Sequence, residues 1–210
     1  MAGAAVLYVH GLWMTGLESI WLRRRLARER NYRLQVFRYA SVRAPLARII
    51  AALRDSIAAI EAPRVHLLGH SLGGLLIQRC LERYPMAQPG RVVFLGTPAA
   101  GSIAARQLAR APGGRELLGA ASSEQLLAEH PLRWDIGREL GIIAGTTPLG
   151  FGRLLLKFDE DNDGTVALSE TRLAGATDFL SLPVTHSSML WSARVARETG
   201  SFLEYGRFGS

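Results

Sequence analysis

The stretch RVHLLGHSLGGLL, residues 64–76, decides the fold. It begins as an apolar run typical of a buried β-strand, passes through Gly-His-Ser-Leu-Gly-Gly, and continues in an apolar pattern typical of a helix. A chain that turns from strand to helix within so few residues needs glycine, because glycine tolerates backbone conformations that other residues avoid. We therefore expect Ser71 to lie exposed at the apex of a tight strand-to-helix turn.

Apolar and β-branched runs on either side of this stretch predict a sheet of about six strands. The predicted strands cover residues 4–10, 33–40, 64–69, 91–97, 140–146 and 179–184. Most are apolar on both faces, which is typical of parallel strands covered by helices. Helical patterns lie between them, at residues 17–30, 45–61, 72–84 and 187–199, with a broken helical region at 101–130. This alternation predicts an α/β fold: a central, mostly parallel sheet with helices on both faces and right-handed crossovers.

Length and composition favour one domain over residues 1–210. With 48% hydrophobic residues the chain can bury a substantial core. The single cysteine, Cys80, cannot form an internal disulfide and is expected to be a small buried residue.

No apolar run approaches the roughly 18 residues of a membrane span, and the first residues lack the charged region of a signal peptide. We expect a cytoplasmic protein without stable membrane insertion.

The net charge of +7 comes from arginine, which is concentrated in residues 21–33. One interpretation is an anionic partner, such as a membrane surface or nucleic acid; the other is the solvated face of an amphipathic helix. Apolar residues at helical spacing beside the arginines favour the helix: Leu17, Trp21, Leu22 and Leu26. Because no nucleic-acid motif accompanies the arginines, no nucleic-acid partner is expected.

Residues 69–73 fit the pattern Gly-x-Ser-x-Gly between a predicted strand and a predicted helix. Glycines two positions before and after Ser71 would let the helix pack close to the strand. The backbone N–H of Leu72 would point beside the Ser71 hydroxyl, where the helix N-terminus favours an oxyanion. The alternative is a glycine turn with an incidental serine. The strand and helix around it favour a nucleophilic serine.

A serine hydroxyl needs a base, and the base needs a third group to orient it. Among the five histidines, His186 follows the last predicted strand on a loop that enters the final helix. Loops at the carboxyl ends of parallel strands converge, so His186 is the candidate base, with a capped surface histidine as the alternative. His66 lies inside a predicted strand and is expected to be a packed residue.

The orienting acid is expected between serine and histidine in chain order. The loop FDEDNDGTVALSE, residues 158–170, offers Asp159, Asp161 and Asp163. With Glu170, the same loop satisfies the calcium-binding pattern D-x-[DN]-x-[DN]-G-x5-E. An EF-hand needs a helix on each side, and the segment that follows is a poor helix broken by Gly175. Calcium binding by this loop stays open.

Taken together, these motifs resemble the α/β-hydrolases of the lipase and esterase group, in their minimal, lidless form. The stretches that carry the resemblance are VLYVHGLW, GHSLGG, FLGTPAAGS, NDGTV and THSSML. The resemblance implies that Ser71 is the nucleophile, Asp163 the acid and His186 the base. It also implies an oxyanion hole formed by the backbone N–H groups of Leu12 and Leu72. In the His-Gly pair before Leu12, glycine would allow close approach to the oxyanion, and His10 would brace the loop.

The expected function is hydrolysis of a small-molecule carboxylic ester through an acyl-enzyme, without a metal or cofactor. Trp13, Met14 and Leu75 are candidates for an acyl pocket, although large apolar residues beside a core are often part of it. Residues 110–131 form either a small helical flap over the site or a surface connection.

Alternative functions are an acyltransferase or thioesterase on the same triad, and a non-catalytic ligand-binding protein. The sequence does not indicate acyl length or oligomeric state.

Overall fold

The computed structural model describes residues 3–127, 133–149 and 158–209, and it has an α/β architecture around one sheet. The six strands are β1 (Ala5–Val9), β2 (Arg33–Phe37), β3 (Val65–His70), β4 (Val92–Leu95), β5 (Leu140–Gly145) and β6 (Asp178–Leu182). Their order is β2-β1-β3-β4-β5-β6, and every neighbouring pair is parallel. The predicted fold class and all six predicted strands are confirmed.

Helices cover both faces of this sheet. They are α1 (Ile20–Arg30), α2 (Leu46–Ala58), α3 (Leu72–Arg83), α4 (Ile103–Arg110), α5 (Gly114–Leu118), α6 (Ala120–Leu126), α7 (Leu168–Thr171) and α8 (Ala193–Tyr205), with 3-10 turns at Leu17–Ser19 and Ser188–Leu190. Successive residues of β1 point to opposite faces of the sheet and pack into two separate hydrophobic cores. Leu7 packs with residues of α2 and α3, whereas Tyr8 packs with residues of α1 and α8. Two buried faces explain why the strands are continuously apolar.

Several helix boundaries differ from the sequence prediction. The last helix was expected over residues 187–199, but α8 begins at Ala193, continues to Tyr205 and is followed by Gly206, which has φ 76°. Gly200 lies inside α8 where this helix packs against α1, and a Cβ on Gly200 would lie 3.2 Å from the Arg30 side chain. Pro45 was expected at the first helical position, but it precedes α2 with an extended ψ of 142°. The helix therefore begins one residue later.

The irregular segment after β4 folds into the three short helices α4 to α6. Leu118 and Leu126 are buried in the core. The Ser122 hydroxyl donates to the Ser41 carbonyl oxygen at 3.1 Å, which ties α6 to the loop after β2. Residues 128–131 of the predicted flap or connection lie outside the described residues. The described part of this segment packs against the helices α2 and α3.

The arginine-rich segment forms an amphipathic helix, as expected. Leu22 and Leu26 are fully buried, whereas Arg24 and Arg28 are exposed. Leu17, expected on the apolar face, is 60% exposed because it lies in the 3-10 turn before α1. Among the residues that the structure describes, no helix is both long and apolar enough to cross a membrane.

Cys80 is buried on α3, as expected. Burial raises the pKa of its thiol to about 12. Because the reactive form of cysteine is the thiolate, this side chain is a packing group.

Candidate active site

Ser71 lies between β3 and α3 in a strained backbone conformation. Its φ is 54° and its ψ is −124°, and its N–H donates to the Leu95 carbonyl oxygen on β4 at 2.9 Å. A non-glycine residue held in such a sparsely populated region costs about 1–3 kcal/mol. Ser71 is half-buried rather than fully exposed. The surrounding fold therefore imposes the turn that the sequence predicted.

Glycines beside Ser71 permit the close approach of helix and sheet. A Cβ on Gly73 would lie 2.1 Å from the Val9 carbonyl oxygen on β1. A Cβ on Gly69 would lie 2.5 Å from the Cα of Gly74. Both distances are far inside van der Waals contact, so any larger residue would push α3 off the strands. This is the physical reason for glycine two positions before and after the serine.

His186 and Asp163 contact each other directly. Asp163 lies in the loop that follows β5, and His186 in the loop that follows β6. His186 Nδ1 is 2.7 Å from Asp163 Oδ2, and Asp163 Oδ1 accepts from the N–H groups of Thr165 and Val166 at 2.9 and 2.8 Å. Because an ionised carboxylate only accepts, Nδ1 carries the proton and Nε2 is left to receive one.

Backbone contacts tie these two loops to the turn that carries Ser71. The His186 N–H donates to the Asp163 carbonyl oxygen at 2.8 Å. The His186 carbonyl oxygen lies 3.0 Å from Nε2 of His70, the residue before Ser71. A Cβ on Gly96, at the end of β4, would lie 3.1 Å from both Asp163 Oδ2 and His186 Nδ1. The three predicted residues thus gather at the carboxyl ends of β3, β5 and β6.

The loop after β1 lies next to Ser71. A Cβ on Gly11 would lie 3.1 Å from Ser71 Cβ. His10 Nδ1 donates to the Gly11 carbonyl oxygen at 2.8 Å, and burial lowers the pKa of His10, which favours its neutral form. In a trans peptide the carbonyl and the following N–H point in opposite directions. Turning the Gly11 carbonyl towards His10 therefore directs the Leu12 N–H away from His10.

Tyr39 holds His10 in this orientation. The two rings stack with centroids 4.2 Å apart and an interplanar angle of 11°, and the Tyr39 hydroxyl donates to the His10 carbonyl oxygen at 2.8 Å. Neither Tyr39 nor His70 was singled out for a functional role by the sequence. Their only sequence signals are positions at the end of a predicted strand and at a variable position of the serine motif.

The three candidate pocket residues have different surroundings. Trp13 is 61% exposed, has φ 58°, and donates its indole N–H to the Leu117 carbonyl oxygen on α5 at 3.0 Å. Met14 is half-buried, with its sulfur 3.3 Å from a Cβ built on Gly11. Leu75 is 1% exposed in the core with α2. Trp13 and Met14 lie in the loop after β1, which passes Ser71 at Gly11, and Leu75 is a core residue.

The acidic loop is not folded as an EF-hand. Glu170, which the calcium pattern would use as a ligand, accepts hydrogen bonds from the N–H groups of Ala167 and Ile103, and burial raises its pKa. Asp163 faces His186, and Asp161 is exposed. The helix after the loop, α7, has only four residues. Within residues 3–127, 133–149 and 158–209, no three His, Cys, Asp or Glu side chains are grouped to hold a metal ion.

Comparisons with known proteins agree with this architecture. The model of the alpha/beta hydrolase family matches residues 6–199. No curated protein matches the chain.

Several solved structures share the fold. The mature lipase BlEst2 of Bacillus licheniformis has a TM-score of 0.78 at 20% identity, covering 99% of this chain and 93% of that one. A metagenomic carboxyl esterase, MGS0156, has a TM-score of 0.65 at 21% identity, covering 89% of this chain and 65% of that one. The Vlm2 thioesterase domain with a bound dodecadepsipeptide has a TM-score of 0.59 at 15% identity, covering 99% and 94%. At these identities the likeness concerns the fold.

Proposed function

The chain belongs to the alpha/beta hydrolase family, and from this premise we propose that it is a serine hydrolase that cleaves carboxylic esters. The observation that carries the proposal is the 2.7 Å contact between His186 Nδ1 and Asp163 Oδ2. This contact leaves Nε2 of a neutral imidazole ready to accept a proton, on a loop joined to the strained turn of Ser71. A nucleophilic serine needs a base that takes its proton, and in a Ser-His-Asp arrangement the acid orients that base.

In the acylation step, the Ser71 hydroxyl attacks the ester carbonyl carbon while His186 Nε2 takes the hydroxyl proton. The carbonyl oxygen becomes an oxyanion that accepts hydrogen bonds from the N–H groups of Leu12 and Leu72. The imidazolium then protonates the alkoxide as the carbon–oxygen bond breaks, so the alcohol leaves first. Asp163 stabilises the positive charge on His186 and keeps its ring oriented.

In the deacylation step, water takes the place of the alcohol. His186 removes a proton from the water molecule, whose oxygen attacks the acyl carbon. The second oxyanion collapses, Ser71 recovers its proton from the imidazolium, and the carboxylic acid is released. Atoms and charges balance over the two steps without an additional reactant.

The His10 brace supports the oxyanion role of Leu12. An oxyanion hole works because its donors are fixed before charge develops, so that no reorganisation is needed during the reaction. The hydrogen bond from His10 Nδ1 to the Gly11 carbonyl fixes the peptide that carries the Leu12 N–H. Loss of one oxyanion donor typically costs about 10²–10³-fold in kcat.

The loop after β1, in which Gly11 lies next to Ser71, carries apolar side chains that support a substrate with an apolar group. Trp13 and Leu117 are 61% and 56% exposed, and the Trp13 indole is fixed by its hydrogen bond to the Leu117 carbonyl. Met14, in the same loop, adds a half-buried thioether. We propose that these side chains contact the acyl or alcohol portion of the ester.

The test is hydrolysis of p-nitrophenyl esters from acetyl to palmitoyl by the wild type and by Ser71→Ala, with EDTA in a parallel set. Ser169→Ala, at an exposed position of α7, is the matched control. We expect activity that Ser169→Ala and EDTA leave intact and that Ser71→Ala abolishes. An inactive wild type, or an active Ser71→Ala variant, would refute the proposal. Acyl thioesters and a competing alcohol in the same assay distinguish a thioesterase or an acyltransferase.

A further inference from the structure

His70 is the buried residue that links the serine turn to the loop of the candidate base. It is fully buried at the end of β3, directly before Ser71. Its Nε2 lies 3.0 Å from the His186 carbonyl oxygen. The rings of His70 and His186 lie 4.8 Å apart between centroids, tilted by 43°. His70 therefore contacts both the backbone and the ring of His186.

The contacts of His70 determine which of its nitrogens carries the proton. A carbonyl oxygen only accepts, so Nε2 must be the donor. Nδ1 faces Gly11, where an added Cβ would lie 3.4 Å away, and has no hydrogen-bond partner within the described part of the chain. A neutral ring protonated on Nε2 satisfies both observations, because an N–H on Nδ1 would be a buried donor without an acceptor.

The His186 backbone is consequently held on two sides. Its N–H donates to the Asp163 carbonyl oxygen at 2.8 Å, and its carbonyl oxygen accepts from His70 at 3.0 Å. Asp163 fixes His186 relative to the acid loop. His70 is the contact that fixes it relative to Ser71.

We propose that His70 is a positioning residue, which holds the His186 loop against the serine turn so that His186 Nε2 faces the Ser71 hydroxyl. The inference rests on the proposed roles of Ser71 and His186 and adds a residue to them. It predicts that His70 acts on the rate of the chemical step through His186 and does not touch the substrate.

The burial of His70 also keeps it neutral beside a ring that becomes charged. Desolvation, with a smaller contribution from His186, lowers the pKa of His70 to about 3, and His10 acts in the same direction. A second positive charge 4.8 Å from the His186 ring would oppose the imidazolium that forms during catalysis. A neutral donor positions the base without this repulsion.

The kinetic test compares His70→Gln, which keeps an N–H donor, with His70→Leu, which removes it. The matched control is His66→Leu, at a histidine in the same strand that is 2% exposed and accepts from the Arg91 N–H at 2.9 Å. We expect His70→Leu to lower kcat about 10- to 100-fold with KM within about twofold, because a misplacement of about 1 Å can cost up to 10²-fold. His70→Gln should recover most of kcat, and His66→Leu should leave kcat unchanged even where thermal stability falls.

Three kinetic results would overturn the inference: full activity of His70→Leu, equal losses in the Gln and Leu variants, or a loss expressed in KM. Comparing the melting temperatures of His70→Leu and His66→Leu separates loss of stability from loss of positioning.

A measurement without substrate separates this inference from the proposed function. In nitrogen-15 spectra of the histidine rings between pH 5 and 8, His70 should be protonated on Nε2 and should not titrate. The downfield proton resonance of His186 Nδ1–H should shift in His70→Leu and stay in place in His66→Leu. A His70 protonated on Nδ1, or a His186 resonance unchanged in both variants, would overturn the inference whether or not the wild type cleaves esters.

Discussion

Replacing Ser71 with glycine is expected to stabilise the protein while removing the proposed nucleophile. Ser71 has φ 54° and ψ −124°, a conformation in which a side chain costs about 1–3 kcal/mol. Glycine adopts positive φ without this strain, although its greater freedom in the unfolded chain costs about 0.5–1 kcal/mol. The middles of these two ranges differ by about 1 kcal/mol, so the free energy of unfolding of Ser71→Gly should exceed that of Ser71→Ala by about this amount. The alanine variant also lacks the hydroxyl but keeps the strained Cβ.

Urea denaturation and thermal melting of the two variants measure this difference. For a chain of this length, about 1 kcal/mol corresponds to a shift of roughly 2–4 °C in Tm. The control is Ala59→Gly at the exposed end of α2, where φ is −76° and glycine should destabilise by up to about 1 kcal/mol. If Ser71→Gly is no more stable than Ser71→Ala, the turn is not strained, and its geometry gives no argument for a functional serine.

Three further predictions follow from the same geometry. Asp163→Asn should lower kcat about 10⁴-fold, whereas Asp161→Asn, at an exposed position, should change it less than twofold; the reverse order in ester hydrolysis would move the acid to Asp161. Gly73→Ala should destabilise the protein by about 3 kcal/mol or more in urea denaturation, because its Cβ would meet a strand carbonyl oxygen at 2.1 Å; Gly137→Ala, with no atom within 4 Å, should be tolerated. Burial lowers the pKa of His66 to about 4, below its unfolded value of about 6.5, so its contribution to stability is complete above pH 6.5 and is lost as pH falls towards 4. His66→Asn should reduce the pH slope of the unfolding free energy by about 1.4 kcal/mol per pH unit between pH 6.5 and 4, and an unchanged slope would contradict the burial argument.

Local sequence patterns were sufficient for the sheet. Strands buried on both faces must be apolar throughout, and β3 has six buried residues in succession. The glycines of the serine motif could be recognised by their spacing around Ser71. The structure gives the reason for one of them, because the close approach of α3 to β1 leaves no room for a Cβ on Gly73. In both cases the constraint acts on a few consecutive residues.

Contacts between distant segments could not be derived in this way. His70 and His186 lie 116 positions apart, so the sequence showed His70 only as a variable position of the motif. The calcium pattern of the acidic loop shows the same limit, because the sequence did not show that Glu170 accepts from the N–H of Ile103 on α4. The last helix was predicted over residues 187–199, whereas α8 runs from Ala193 to Tyr205, and Gly200 lies inside it against the Arg30 side chain of α1.

The most direct test of the central claim is covalent labelling of Ser71 by a fluorophosphonate, followed by intact mass and peptide mass spectrometry. A serine activated by His186 and Asp163 should react at phosphorus and lose fluoride, giving one adduct per chain on the peptide that contains Ser71. Ser71→Ala should stay unlabelled, and His186→Ala should label far more slowly. A wild-type chain without an adduct, or with the adduct on another residue, would contradict the claim that Ser71 is an activated nucleophile.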